Sequence, residues 1–431
     1  MAAATHDATV VSALGTLADG IVGTGSASGL LQLEMLGIEI DWWVGADDGW
    51  KIPADDGVLS IRPGVAPAVE ARVRVPGGEA VLRAYAVARA DAPLVVADLE
   101  NASPAAAVVA WVVRAARGYR IGRVAVEGSA LLIDDRARVE LPRVPTRWAI
   151  AARSVGVRDA VVAGRAGSGR FEAMATRRGD LEVALLFPIA HRTRTRIVAT
   201  MANGNTDPKP FRVAQLPALA DVERGWIAAL ERGTQVELPD DALQASVDAA
   251  RATLLLGSAS PTRRDRVVAA ESDAWGLSDG RPSRAGAGDA RDDAWARVRA
   301  TLGESGSSPR HAAAWLGALR AALVRVTRDR VDVLPSFPDE WLGQPVAVHD
   351  LPTRHGPVSF ALRWHGARPA LLWDVPVGMR VSARGLDPSW EGSGGASEAL
   401  LAEIDPTRLL PLRAAAVSDP GVAVDEPETF T

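Results

Sequence analysis

The chain has 431 residues, of which 48% are hydrophobic and 23% are charged, and its formal net charge is −5. A chain of this length and composition is expected to form two or three globular domains. The small net charge excludes a general basic surface for nucleic acid. The absence of cysteine excludes disulfides, thiol nucleophiles and thiolate metal sites.

The first 23 residues do not resemble a targeting segment. They contain no basic cluster, and Asp7 and Asp19 flank apolar runs that are too short to span a bilayer. We therefore expect a cytoplasmic protein without membrane association.

Residues 1–218 are predicted to form a large antiparallel β-sandwich. Short apolar or alternating runs recur from about residue 28 to 215, and Gly, Pro, Asp and Asn separate them. The segment 71–87 shows two alternating runs around Pro76, Gly77 and Gly78, which predicts a hairpin.

Residues 219–326 show helical periodicity instead. A first helix is predicted around Trp226, and a second follows Pro239 and Asp240, which are residues that favour a helix start. Another helix is predicted after Ser308 and Pro309. The stretch between the second and third of these helices is poor in apolar residues, and we expect residues 280–290 to be flexible.

A small β-domain is predicted over residues 327–390, because apolar and polar residues alternate from Val358 to Trp364. The remainder, 391–431, has no periodicity and is predicted to be an irregular tail. The fold class is therefore α+β and mainly β, with a large N-terminal sandwich, a short helical segment and a small C-terminal β-domain.

Two motifs of the small β-domain carry a resemblance to a known class of enzymes. The first reads LPSFPDEWL from residue 334 to 342, and the second reads PTRHGPVS from residue 352 to 359. Together with the domain order, they resemble the glycoside hydrolases of the six-hairpin class. The resemblance implies an N-terminal super-sandwich, an (α/α)6 catalytic barrel and a C-terminal β-domain, with carbohydrate as the substrate. In the motifs, the matching residues are Leu334, Pro335, Pro338, Glu340, Trp341, Leu342, Pro352, Thr353, Gly356, Val358 and Ser359.

The helical segment departs from that class. Twelve helices of about 11–12 residues with their connections need roughly 200 residues, but residues 240–326 provide only 87. The general acid that the resemblance implies has no matching position here. We therefore expect a shortened remnant of the barrel and a glycosidase-like pseudoenzyme.

Glu271 and Asp273 are an acidic pair close to Trp275, and glycoside hydrolysis uses two carboxylates. These two residues, with Asp47 and Asp48, are the catalytic candidates. Trp275 is also a candidate platform for a sugar ring. The alternative is a solvated helix face with one packing tryptophan.

The segment IEIDWWVGADDGWKIP concentrates tryptophans and acids, which is the composition of a sugar-binding cleft. The candidate carbohydrate-binding residues are therefore Asp41, Trp42, Trp43 and Trp50, in addition to Trp275. Alternate tryptophans that fill a core, next to an ordinary Asp-Gly turn, are the competing interpretation.

The run HRTRTR places Arg192, Arg194 and Arg196 on one face of a strand, which suggests either an anion clamp or a charged edge strand. The histidines lack the close spacing of metal motifs, so no metal and no cofactor is predicted. His349, His355 and His365 remain able to converge in the small β-domain.

Three functions stay open from the sequence. The first is a non-catalytic protein that binds a glycan or a protein partner, and the second is an active hydrolase with its carboxylates on the sandwich or in an inter-domain cleft. The third is a structural or regulatory subunit, in which helices 240–256 and 309–326 bury an apolar face against a protein partner or a second copy.

Overall fold

The computed structural model describes residues 10–169, 172–175, 179–202, 212–259, 265–278, 294–304 and 306–405. The first part of the chain is almost entirely strand. Its strands are β1 (Val10–Thr16), β2 (Gly20–Ser26), β3 (Leu31–Leu33), β4 (Ile38–Ala46), β5 (Gly49–Lys51), β6 (Leu59–Ile61), β7 (Ala68–Val75), β8 (Gly78–Val87), β9 (Leu94–Asn101), β10 (Ala107–Ala115), β11 (Arg123–Glu127), β12 (Ala130–Ile133), β13 (Ala137–Glu140), β14 (Arg147–Ala152), β15 (Glu172–Met174), β16 (Leu181–Ile189) and β17 (Thr193–Met201).

These strands form two antiparallel sheets. Sheet A has the order β1-β2-β3-β4-β10-β16-β14, with β5 added to β4, and sheet B has the order β15-β11-β12-β13-β17-β9-β8-β7-β6. One hydrophobic core takes side chains from both sheets, among them Val44 and Trp111 of sheet A and Leu82 and Val139 of sheet B. The predicted β-sandwich is confirmed, and the protein is α+β and mainly β.

Strand alternation gives each sheet an inner and an outer face. In β4, Ile40, Trp42 and Val44 belong to the shared core, so the residues between them lie on the opposite face. We call this opposite face of each sheet its outer face. Asp41 and Trp43 therefore lie on the outer face of sheet A.

The predicted hairpin around Pro76 and Gly77 is formed by β7 and β8, with Val75 paired to Gly78. Gly77 has a φ of 74°, a conformation that glycine adopts without steric cost.

The arginine run at 192–196 does not lie on an edge strand, which corrects one of the two interpretations. β17 is paired on both sides, with β13 and with β9. Its arginines instead face acids of β9: Arg194 pairs with Glu100, and Arg196 pairs with Asp98. The pairing satisfies these charges inside the sheet.

Six helices occur in the described residues: α1 (Arg158–Val162), α2 (Leu219–Leu230), α3 (Asp241–Ser258), α4 (Arg266–Ala274), α5 (Ala294–Ala300) and α6 (Pro309–Leu323). Asp240 caps α3, because its Oδ1 accepts from the backbone N–H groups of Ala242 and Leu243. Ser308 accepts from the N–H of His311 at the start of α6. Both predicted helix starts are thus confirmed. None of the described helices is long and apolar enough to cross a bilayer.

The helical segment is not a compact unit of its own, in contrast to the predicted boundaries 219–326. The chain divides into two compact units, of which the first comprises 1–232, 245–272 and 301–316, and the second comprises 233–244, 273–300 and 317–431. The predicted flexible stretch 280–290 lies outside the described residues.

The second unit contains sheet C. Its strands are β18 (Gln235–Glu237), β19 (Val324–Val326), β20 (Arg330–Val333), β21 (Val346–Thr353), β22 (Gly356–His365), β23 (Arg368–Ala383) and β24 (Asp387–Leu400). The order is β18-β21-β22-β23-β20-β19, with β24 paired to β23. Val358, Phe360 and Leu362 of β22 are buried, as the alternation predicts.

The expectation of an irregular tail from residue 391 is wrong for its first ten residues. They belong to β24, which pairs antiparallel with β23 from Asp387 to Leu400. Because most of its side chains are exposed, β24 does not need apolar alternation, and its Gly- and Ser-rich sequence conceals it. Residues 406–431 lie outside the described part of the chain.

Candidate functional site

Two of the predicted sugar platforms are completely buried. Trp42 is 0% exposed in the shared core, and its indole N–H donates to the Ser28 carbonyl at 3.2 Å. Trp275, directly after α4, is also 0% exposed. A ring without exposed surface offers no face to a ligand, so in this conformation neither tryptophan can stack on a sugar.

Trp43 and Asp41 lie together on the outer face of sheet A. The indole N–H of Trp43 donates to Asp41 Oδ2 at 3.3 Å, and the backbone N–H of Trp42 donates to Asp41 Oδ1 at 2.8 Å. Asp41 is only 4% exposed. Trp43 packs in a smaller apolar cluster with Ile52, which follows β5, and with Val161 of α1.

Sequence reasoning missed two neighbours of Asp41. Arg114 of β10 lies directly opposite Glu39 of β4, donates to it at 2.9 Å, and has a second guanidinium nitrogen 3.5 Å from Asp41 Oδ2. Glu182 of β16 is 7% exposed, and no hydrogen bond or ion pair joins its carboxylate to the described residues. We call Glu39, Asp41, Arg114 and Glu182 the Asp41 cluster.

The pKa values of the two buried acids of the Asp41 cluster are both raised. Burial raises the pKa of Asp41, and Arg114 offsets this effect in part. Burial also raises the pKa of Glu182, against the attraction of Arg114 and Arg153, and the nearby Asp41 carboxylate adds to the rise. The cluster therefore holds two carboxyl groups whose pKa values are raised chiefly by burial.

The fourth predicted tryptophan, Trp50, lies in β5. Gly45 pairs with Trp50 across the β4–β5 hairpin, and a methyl group at residue 45 would lie 3.1 Å from the Trp50 ring. The ring thus covers Gly45 on one side, and Trp50 is partly exposed. This arrangement needs glycine at residue 45, because a side chain would displace the ring.

Asp47 and Asp48 form the two-residue turn of this hairpin, since Ala46 pairs with Gly49. Both aspartates are exposed. Lys51 Nζ lies 2.7 Å from Asp48 Oδ2, whereas no described residue forms an ion pair with Asp47. The hairpin therefore presents an aromatic ring, a neutralised acid and an unpaired acid within a few residues.

Glu271 and Asp273 do not face each other. They lie two positions apart on α4, and residues at this spacing point about 200° apart around a helix. Glu271 is buried, while Asp273 accepts a hydrogen bond from the Ser278 hydroxyl. Local geometry of α4 thus does not form the facing pair that glycoside hydrolysis uses.

Metal ligands do not assemble in the described ranges, where no group of three His, Asp or Glu side chains is suitably placed. His349, His355 and His365 are all exposed on sheet C.

Comparison with known proteins gives only weak likenesses. No family model and no curated protein matches the chain. Among solved structures, a bacterial glucoamylase complexed with acarbose is similar over 63% of this chain and 49% of its own, with 8% identity and a TM-score of 0.41. A putative kojibiose phosphorylase from the human microbiome is similar over 50% and 31%, with 6% identity and a TM-score of 0.30. The chain thus spans about half the length of the first and a third of the second, and likenesses this weak carry no argument about activity.

Proposed function

We propose that this chain is a glycosidase-like protein that binds carbohydrate at the β4–β5 hairpin and does not hydrolyse it. The observation that carries the proposal is the partly exposed Trp50 ring, which lies on Gly45 beside the turn carboxylates of Asp47 and Asp48. An aromatic ring packs against the C–H face of a sugar, and adjacent carboxylates accept hydrogen bonds from its hydroxyl groups.

The proline-rich motif that resembles the six-hairpin class packs through its aromatic side chains within the second compact unit. Pro338 precedes a single 3-10 turn, Asp339–Trp341, and Trp341 is buried. The Trp341 ring packs edge-on against Trp295, with 4.6 Å between ring centroids, and against Phe337 at 6.2 Å. The motif therefore acts as an aromatic anchor in this unit, which is a structural role rather than a catalytic one.

The shortage of helices argues against hydrolysis. Five helices, α2 to α6, lie between residues 219 and 323 in the described ranges. Seven more helices of about 11–12 residues would need roughly 80 residues, whereas only 21 residues of this stretch lie outside those ranges. A twelve-helix catalytic barrel does not fit.

The test is a screen of the full chain against immobilised α- and β-linked oligosaccharides, followed by calorimetry with the best binder. Trp50→Ala is expected to weaken binding about tenfold, because the stacking contact with the sugar ring is lost. Tyr119→Ala is the matched control, since Tyr119 is an exposed aromatic ring that covers Gly37 of the same sheet. Equal binding by wild type and Trp50→Ala, or no binder at all, would refute the proposal.

An active hydrolase is the second candidate, and the Asp41 cluster favours it. Asp41 and Glu182 are buried carboxyl groups with raised pKa values, which is the property of a general acid. Release of nitrophenol from aryl glycosides by wild type, abolished in Glu182→Gln and in Asp41→Asn, would replace the binding proposal with this one.

A subunit that buries an exposed helical face was the third possible function, but α6 offers no exposed apolar stripe for it. The apolar stripe Leu316, Leu319 and Leu323 is already buried within the chain, with exposures of 0%, 0% and 1%. Association through 240–256 or 309–326 stays a prediction, and light scattering of the purified chain tests it.

A further inference from the structure

Glu182, of the Asp41 cluster, is a buried carboxylate that lies beside an open space on the outer face of sheet A. It precedes Val183, which belongs to the shared core, and it pairs with Ala151 of β14. The residue is 7% exposed, and among the described residues no hydrogen bond or ion pair joins its carboxylate to a partner. A buried carboxylate without a partner costs free energy, and such groups concentrate at binding and catalytic sites.

The space is formed by the turn that follows β14. The backbone N–H groups of Val155 and Gly156 both donate to the carbonyl of Ala152, at 2.8 and 3.0 Å, and Gly156 has a φ of 76°. A methyl group on Gly156 would lie 3.6 Å from Glu182 Oε2 and, apart from the adjacent residues of the chain, within 4 Å of no other heavy atom. Gly156 is also partly exposed. The turn therefore leaves room for a group of methyl size next to Oε2.

The two arginines that attract Glu182 are held by other groups. Arg153 donates from Nη1 to the Ala115 carbonyl at 2.6 Å and lies 3.7 Å from Asp180 Oδ2. Arg114 contacts the other two acids of the Asp41 cluster. The three acids of the cluster and Asp180 thus share two guanidinium groups, and this excess of carboxylates favours a cationic ligand over an anionic one.

We propose that Glu182 binds the primary ammonium group of a small organic ligand in the space beside Gly156. An ammonium group offers three N–H donors and a positive charge, and each donor bonds a carboxylate oxygen at about 2.7–2.9 Å. A metal ion is disfavoured, because no three His, Asp or Glu side chains in the described ranges are suitably placed to hold one. Glu182 and Gly156 lie outside the β4–β5 hairpin, so this proposal and the carbohydrate proposal fail independently.

Titration of the full chain with methylammonium chloride at pH 8 and constant ionic strength tests the proposal. At this pH the amine stays protonated, as a lysine side chain does. The backbone amide signal of Gly156 in nitrogen-15-labelled protein should shift saturably. Tetramethylammonium, which has the charge but no N–H donor, should leave the signal unchanged. Glu182→Gln should weaken the binding of methylammonium about tenfold, the effect of one charge-assisted hydrogen bond.

Glu127→Gln is the matched control, because Glu127 is an exposed glutamate of β11 in sheet B. It should bind methylammonium like wild type. No saturable binding, equal binding of tetramethylammonium, or unchanged binding in Glu182→Gln would overturn the proposal. Binding of potassium as tight as that of methylammonium would overturn the choice of an ammonium group.

Discussion

The outer faces of sheets A and B carry the same kinds of charged side chain, but these side chains are paired on sheet B and incompletely paired on sheet A. On sheet B, Glu70, Arg83, Asp98 and Arg196 lie directly opposite one another across β7, β8, β9 and β17. We call this row, in which the charges alternate in sign, the charge ladder. Ion pairs of 2.6 Å join Glu70 to Arg83 and Asp98 to Arg196.

The Asp41 cluster on sheet A has a similar row, Glu39, Arg114 and Glu182, but the pairing is incomplete. Arg114 contacts Glu39 and Asp41, whereas Glu182 has no ion pair in the described residues. The pKa values follow this difference. On sheet B, hydrogen bonding to Arg83 lowers the pKa of Glu100, while on sheet A burial raises that of Glu182. A network in which every charge has an ion-pair partner is typically structural. A buried acid without an ion pair lowers the stability of the folded state.

The largest expected effect comes from breaking the charge ladder. Asp98→Ala leaves Arg196 without its bidentate partner, whereas the Tyr85 hydroxyl keeps the Pro217 carbonyl as an acceptor. Removal of one partner of a partly buried pair should lower the free energy of unfolding by about 3 kcal/mol. Urea denaturation measures it. Glu79→Ala, which removes only an exposed partner of Arg72, should cost less than about 1 kcal/mol; similar losses in both variants would contradict the comparison.

A smaller effect of opposite sign is expected at Glu182. Glu182→Gln removes a buried carboxylate whose desolvation outweighs its attraction to Arg114 and Arg153, so at neutral pH the free energy of unfolding should rise by about 1 kcal/mol. A loss of stability in Glu182→Gln would show that the carboxylate has a favourable partner and would remove the contrast between the two sheets.

The same residues predict a pH dependence. Because the folded pKa values of Asp41 and Glu182 lie above their ordinary values of 3.8 and 4.5, the folded state holds these protons more tightly than the unfolded state. Their contribution to stability is complete below those ordinary values and is lost as the pH rises through the folded pKa values. Glu100, with a lowered pKa, contributes above its ordinary value and loses this contribution as the pH falls.

Melting temperatures of wild type and of the double variant Asp41→Asn, Glu182→Gln, measured across pH 4–8, separate these contributions. The double variant should lose less stability than wild type as the pH rises. Parallel curves for the two proteins would exclude any role of the Asp41 cluster in the pH response.

A stability change of similar size is expected in the β4–β5 hairpin. Gly45→Ala places a methyl group 3.1 Å from the Trp50 ring, and such crowding should cost about 1 kcal/mol while it shifts the ring. Gly57→Ala is the control, because a methyl group there meets nothing within 4 Å. If Gly45→Ala binds oligosaccharide as wild type does, the position of the Trp50 ring does not matter to binding.

Local periodicity explains what the sequence could predict. The β7–β8 hairpin and the starts of α3 and α6 depend on residues within a few positions of one another, such as Gly77 and Asp240. Alternation also separates Trp42 from Trp43, but it does not say which of the two faces the core.

Pairing between distant strands explains what it could not predict. The Asp41 cluster depends on the order β4-β10-β16, which brings Arg114 and Glu182 to Asp41 from far along the chain. Neither residue stands in a run that indicates a site. β24 was missed for a different reason, because an exposed strand held by backbone hydrogen bonds does not need apolar side chains.

Arg196 also connects sheet B to the residues just before the helical segment. Its guanidinium donates to the carbonyls of Val213 and Leu216, and Tyr85 donates to that of Pro217, just before α2. These donors reach their places only when β8, β9 and β17 lie side by side, although more than 100 residues separate the first strand from the last. The anchor of the first turn of α2 therefore requires the pairing of β8, β9 and β17, and slow amide exchange at that turn would report this pairing.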